Sequence, residues 1–103
     1  MLFRSVSAIS LLALVSGTAA VNCGVCAPTI FFQGQTRTLT LTRQGSGNQV
    51  QCNYDSPAIP GFSPGCLYRN VDGQITFTNT GATLTSLPGA CPNPITLVSK
   101  TSC

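Results

Sequence analysis

The chain has 103 residues, five Lys and Arg, two Asp, no His, no Glu and no Trp, and only 7% of its residues are charged. A net charge of +3 carried by scattered single cations makes no basic patch for nucleic acid. With no His or Glu, the only carboxylates for general acid–base or two-carboxylate chemistry are Asp55 at the head of a loop and Asp72 in a turn, and a Ser or Cys nucleophile would have no histidine base, so no enzyme is expected.

Residues 1–20 open with Arg4 as a positive head, an apolar run over 6–15 that is too short to span a bilayer, and the small residues Thr18 and Ala20 before Val21. This is the pattern of a secretory signal peptide, with cleavage after Ala20 or, as the alternative, after Ala19. No later segment approaches the ~20 apolar residues of a membrane helix, and no hydrophobic tail of the lipid-anchor kind follows. The expectation is one secreted, extracellular, monomeric domain over residues 21–103 with no membrane span and no N-glycosylation acceptor.

All six cysteines, Cys23, Cys26, Cys52, Cys66, Cys91 and Cys103, fall in that domain. So short a chain buries only about 60% of its unfolded surface, and an even cysteine count in a small secreted domain reads as three disulfides. Each contributes ~2–4 kcal/mol, comparable with the net stability of such a domain. Cys23-Gly-Val-Cys26 has redox-motif spacing, but Ala27-Pro28 and a strand-like Ile30-Phe31-Phe32 follow it where a redox pair needs a helix N-terminus. A zinc site would need two further ligands and the chain has no histidine, so no metal or cofactor is expected. The two cysteines are therefore expected to reach separate distant partners, Cys91 and Cys103.

Residues 36–43 alternate strictly, with Leu39 and Leu41 on one face, Arg37 and Arg43 at its rims, and threonines on the other face. The polar, Gly-bearing run 44–48 and a second alternation over 49–54 predict a hairpin. A long loop covers 55–65, a short strand 66–70, and Val71-Asp72-Gly73 a tight turn. A strand over 74–78 places Ile75 and Phe77 against Thr76 and Thr78, and a last strand covers 95–98. The fold class is all-β: a small antiparallel sandwich or barrel of five to six strands, stapled by three disulfides.

The loop 55–65 holds Pro57, Pro60 and Pro64, which stiffen it. A stiff loop bearing Ile59 and Phe62 suits a partner, because preorganisation lowers the cost of binding. The commoner fate of apolar residues in a small domain is to cap the core. The threonine arrays 38/40/42, 76/78/80 and 83/85 could form a flat ice- or sugar-binding face, though threonine is simply a good exposed strand residue. Phe31, Phe32, Tyr54 and Tyr68 could stack on sugar rings, although core use is the default for aromatics. With few titratable groups, stability is expected to be nearly flat from mildly acid to neutral pH.

The stretches CAPTIFFQGQTRTLTLTR, VQCNYDSP, GFSPGCLY, VDGQITFTNTG, GACP and TLVSKTSC, with their six cysteine positions and two Cys-x-Tyr motifs, resemble the small secreted cysteine-rich proteins of mushroom-forming fungi. The resemblance spans nearly all of residues 21–103. It implies a fungal source and a secreted compartment, and it carries no catalytic residue. A hydrophobin would show eight cysteines with adjacent pairs, a pattern absent from this sequence.

The sequence thus reads as a non-enzymatic protein that acts by binding, as an effector-like or cell-surface factor. Its partner is an extracellular protein or a cell-wall polysaccharide, and the expected contacts are Ile59, Phe62, Tyr68 and Arg69. A carbohydrate- or wall-binding module is the first alternative and an antimicrobial or protease-inhibitor protein the second. In residues 21–103, Arg37, Arg43, Arg69 and Lys100 against two aspartates are too few for a lytic, richly basic face.

Overall fold

The computed structural model describes residues 19–83 and 86–103. The expected signal segment up to residue 18, and Thr85 of the last threonine array, lie outside the described residues. The chain is all-β, with eight antiparallel strands and no helix among the described residues. The strands are β1 Val21–Val25, β2 Thr29–Phe32, β3 Gln35–Thr38, β4 Leu41–Gly45, β5 Gln49–Asn53, β6 Gly65–Arg69, β7 Ile75–Thr78 and β8 Thr96–Lys100. β4–β5–β6–β7 form a four-stranded meander, β2 and β3 a hairpin, and β1 pairs with β8.

The count exceeds five or six for two local reasons. First, β1 is a strand that no alternation announces; it pairs along its length with β8, from Val21 opposite Lys100 to Val25 opposite Thr96. Second, the run 36–43 is two strands. At the corner the chain changes partners: the Leu39 N–H donates to the Pro28 carbonyl (2.9 Å) and the Thr40 N–H to the Asn53 carbonyl (2.8 Å). β3 therefore pairs with β2 and β4 with β5. The corner also changes which face is inward, so Arg37 is buried and Leu41 exposed, the reverse of their expected places. Arg37 lies opposite Ile30. Its Nε donates to the Phe32 carbonyl (3.0 Å) and its Nη1 to the Pro57 carbonyl (2.6 Å), which ties the long loop to the β2–β3 hairpin. That hairpin closes through Gln33 and Gly34, both with positive φ (52° and 73°), as a two-residue type I′ turn requires.

The core lies against one face of the meander. Val50 and Cys52 of β5, Cys66 and Tyr68 of β6 and Ile75 of β7 point inward and meet Cys26, Ile30, Cys91 and Ile95. The buried phenols find carbonyl acceptors: Tyr54 Oη donates to Ala27 O (2.8 Å) and Tyr68 Oη to Pro92 O (2.7 Å). Three disulfides close the structure: Cys23–Cys103, Cys26–Cys52 and Cys66–Cys91. Cys23 and Cys26 do reach separate partners, and Cys23 reaches Cys103. Cys26 bonds Cys52 rather than Cys91, because Cys52 points from the inner face of β5 toward the segment after β1, while Cys91 lies over Cys66 of β6.

Candidate functional site

The four expected contact residues do not converge. Tyr68 is fully buried and its hydroxyl is spent on Pro92, so it offers nothing to a partner. Its place follows from strand phase: Cys66 and Tyr68 share the inner face of β6. Arg69 points outward and pairs with Asp72 across the tight turn. There the Gln74 N–H and the Arg69 guanidinium hold the Asp72 carboxyl below the usual carboxylate range. Ile59 and Phe62 bridge each other in the long loop, and Phe62 stacks on Phe32 with ring centroids 5.9 Å apart. Phe32 in turn packs on the core, so the loop folds back over the hairpin.

A different set of residues comes together on the outer face of the meander. Register places Arg43, Gln51, Leu67 and Phe77 in one row across all four strands. Phe77 is outward because β7 carries a bulge. Leu67 stands opposite Phe77, but Tyr68 stands opposite Ile75, so Thr76 is the extra residue. The extra residue puts Ile75 and Thr78 inward and leaves Phe77 47% exposed, correcting the expectation that Ile75 and Phe77 share a face.

Beside Phe77 the face sinks into a hollow of about 190 Å³. Its floor is Gly65, which stands opposite Asn53 and carries no side chain to fill the space. Gln51, Asn53 and Asn79 and the hydroxyl of Ser63 from the long loop supply polar walls, and Leu67 and Phe77 the apolar side. At about 30 Å³ per molecule the hollow has room for roughly six waters.

The polar walls form one directed chain of hydrogen bonds. Arg43 Nη2 donates to Gln51 Oε1 (3.3 Å) and Gln51 Nε2 to Asn53 Oδ1 (2.6 Å). Asn53 Nδ2 donates to Ser63 Oγ (2.8 Å), and Ser63 Oγ to Asp55 Oδ2 (2.9 Å). Every donor points the same way, from a guanidinium to a carboxylate, so the bonds polarise one another. Asn79 is fixed separately: its Oδ1 accepts from the Gly65 N–H (2.9 Å) and its Nδ2 donates to the Ser63 carbonyl (2.9 Å). An amide nitrogen carries two N–H donors. Gln51, Asn53 and Asn79 each spend one, and each keeps a second in a fixed orientation.

The sequence gives no direct sign of this site, because its members are strand residues from far-apart segments. The one available signal is the outward phase of the alternations that placed the core, with Gln51 and Leu67 as the polar and apolar partners of Cys52 and Cys66. Among the described residues no group of three or more His, Cys, Asp or Glu is placed to hold a metal ion. Fold and site together define a disulfide-stapled, all-β domain with a preordered amide hollow on its open sheet face. No family model matches the chain, and no curated protein or solved structure does either.

Proposed function

We propose that this is a secreted, non-enzymatic binding protein whose contact surface is the outer face of the meander and whose partner is a component of a cell surface or wall. The observation that carries the reading is the hydrogen-bond chain from Arg43 to Asp55 beside the exposed ring of Phe77. A surface that merely faces water has no need to fix three amides in one orientation, whereas a binding site gains affinity when its polar groups are ordered in advance. Three disulfides suit an oxidising compartment, which agrees with the signal-like N-terminus. The resemblance to fungal small secreted proteins makes the fungal wall the first surface to test.

The purified secreted protein would be incubated with whole fungal walls and with intact cells, and the fraction left in solution measured. Depletion is expected, with loss of depletion in Phe77→Ala and none in Phe62→Ala, at unchanged thermal midpoints. Depletion that survives Phe77→Ala but not Phe62→Ala would move the contact surface to the loop. There Phe62 is still 36% exposed on its stack with Phe32.

A further inference from the structure

Resting on the open-face reading, we infer that the hollow takes one ring of a neutral saccharide chain, with the apolar face of the sugar against Phe77 and its hydroxyls on the amides of Gln51, Asn53 and Asn79. The first ground is chemical matching. A sugar hydroxyl both donates and accepts, and the amide walls also do both. The second is charge. Arg43 and Asp55 stand at the two ends of the hydrogen-bond chain and neither lines the hollow, so the lining itself is uncharged. An anionic ligand would find no cation inside, and a cationic one no carboxylate.

The third ground is position. The hollow opens on the outer face of β5, β6 and β7, and β7 is the edge strand of the meander. A peptide adding as a strand needs a sheet edge with open backbone groups. Such a peptide would run along the free side of β7, whereas the hollow sits on the face, among side chains on a floor left low by Gly65. The fourth is size and shape. A volume of about 190 Å³ is below the roughly 300 Å³ at which drug-sized ligand sites begin, and it is open on one side. Such a space suits one ring of a chain that continues over the surface. Phe77, exposed on the rim and backed by Leu67, gives that ring an apolar wall.

The purified secreted protein would be titrated with a β-1,3-linked glucose hexamer, an N-acetylglucosamine hexamer and, as the charged control, a galacturonic acid hexamer, followed by two-dimensional NMR. One neutral hexamer is expected to move the side-chain amide signals of Gln51, Asn53 and Asn79 and the backbone signal of Gly65. Phe77→Ala is expected to weaken that binding at least about tenfold, and the galacturonic acid hexamer to bind at least about tenfold more weakly. Gly65→Ala raises the floor, since its Cβ would lie 3.2 Å from Asn53 Nδ2, and it is expected to abolish the shifts while the dispersed spectrum of the folded protein persists. Saturating neutral hexamers that leave these signals in place, or an affinity that Phe77→Ala does not change, would overturn the saccharide assignment. If wall depletion is nonetheless lost in Phe77→Ala, the open-face reading stands with another ligand class. If depletion also survives that substitution, both fall.

Discussion

Cys52 and Cys66 stand directly opposite each other on β5 and β6, and each bonds a different partner, Cys26 and Cys91. Both point to the inner face, so the two disulfides clamp two separate segments onto the core side of the meander and leave its outer face open. Chain entropy alone ranks the staples by loop length: ~4.5 kcal/mol for the 80-residue Cys23–Cys103 loop against ~3.5 kcal/mol for the 25-residue Cys66–Cys91 loop.

The expected ranking is the reverse. Cys66 and Cys91 are both buried in the core, whereas Cys103 is exposed. Losing Cys66–Cys91 also removes packed core sulfur, and the other two cross-links already limit what the long loop can gain. A Cys66→Ala/Cys91→Ala protein should therefore lose more stability in denaturant unfolding than a Cys23→Ala/Cys103→Ala protein. A larger loss in the second would mean that loop length governs.

Asn70 is fully buried and joins three segments. Its Oδ1 accepts from the Gly24 N–H (2.8 Å), and its Nδ2 donates to Gln44 Oε1 (2.7 Å) and Asn48 Oδ1 (3.2 Å). Asn70→Ala removes three hydrogen bonds at about 1 kcal/mol each and should cost about 3 kcal/mol, with faster hydrogen exchange at the Gly24 amide. Asn70→Asp should cost at least as much at neutral pH, because it turns an oxygen toward two acceptor oxygens. Near-normal stability of either variant would mean that water replaces these bonds.

Much of the meander is readable because alternation is local: the two faces of β5 and β6 and the turn at Gly73 follow from period two and turn chemistry. What escaped depends on contacts distant in sequence. At the corner of Leu39 and Thr40 the sequence pattern runs on unbroken while the chain exchanges partners and inward face, so nothing in 36–43 marks it. The bulge at Thr76 turns Phe77 outward, and a bulge is a property of the pairing with β6 rather than of β7. Hence period two puts Phe77 on the same face as Ile75, and Tyr68 of the core among the expected contacts. Gln51, Asn53 and Asn79 became neighbours only through register and loop closure.

The pH profile follows from a few groups. Burial pushes the Tyr54 phenol up to about 12. Tyr68 is raised too, by burial first and by the nearness of Tyr54 second. A folded pKa above the unfolded value of about 10 favours the neutral phenol in the fold. That contribution is fully present below about pH 10 and is lost as pH rises from there through the folded values. Asp72 works the other way: its lowered carboxyl contributes above its ordinary value and loses that contribution as pH falls from there through the lowered folded value, a small effect at an exposed turn. With no histidine in the chain, the thermal midpoint should be level from roughly pH 5 to 8 and fall above about pH 10. Phenolate absorbance should rise together with loss of near-ultraviolet circular dichroism. Ionisation of both tyrosines near pH 10 in a protein that stays folded would contradict their burial.

Gly34 and Gly73 have the same φ, +73°, in different surroundings. A Cβ on Gly34 would meet nothing within 4 Å, so Gly34→Ala should carry only the left-handed backbone cost of about 1 kcal/mol. A Cβ on Gly73 would lie 2.7 Å from the Ile95 carbonyl oxygen, a backbone atom, and Gly73 O itself accepts from the Ile95 N–H (3.0 Å). Gly73→Ala must therefore push the β6–β7 turn off the segment that carries Ile95 into the core. It should cost about 3 kcal/mol or more, since it adds overpacking to the same backbone strain. Denaturant midpoints of the two alanine variants, with Gly34→Asn as a side chain that tolerates this φ, separate the two effects. Equal losses at Gly34 and Gly73 would mean that φ alone decides and that the turn does not press on Ile95.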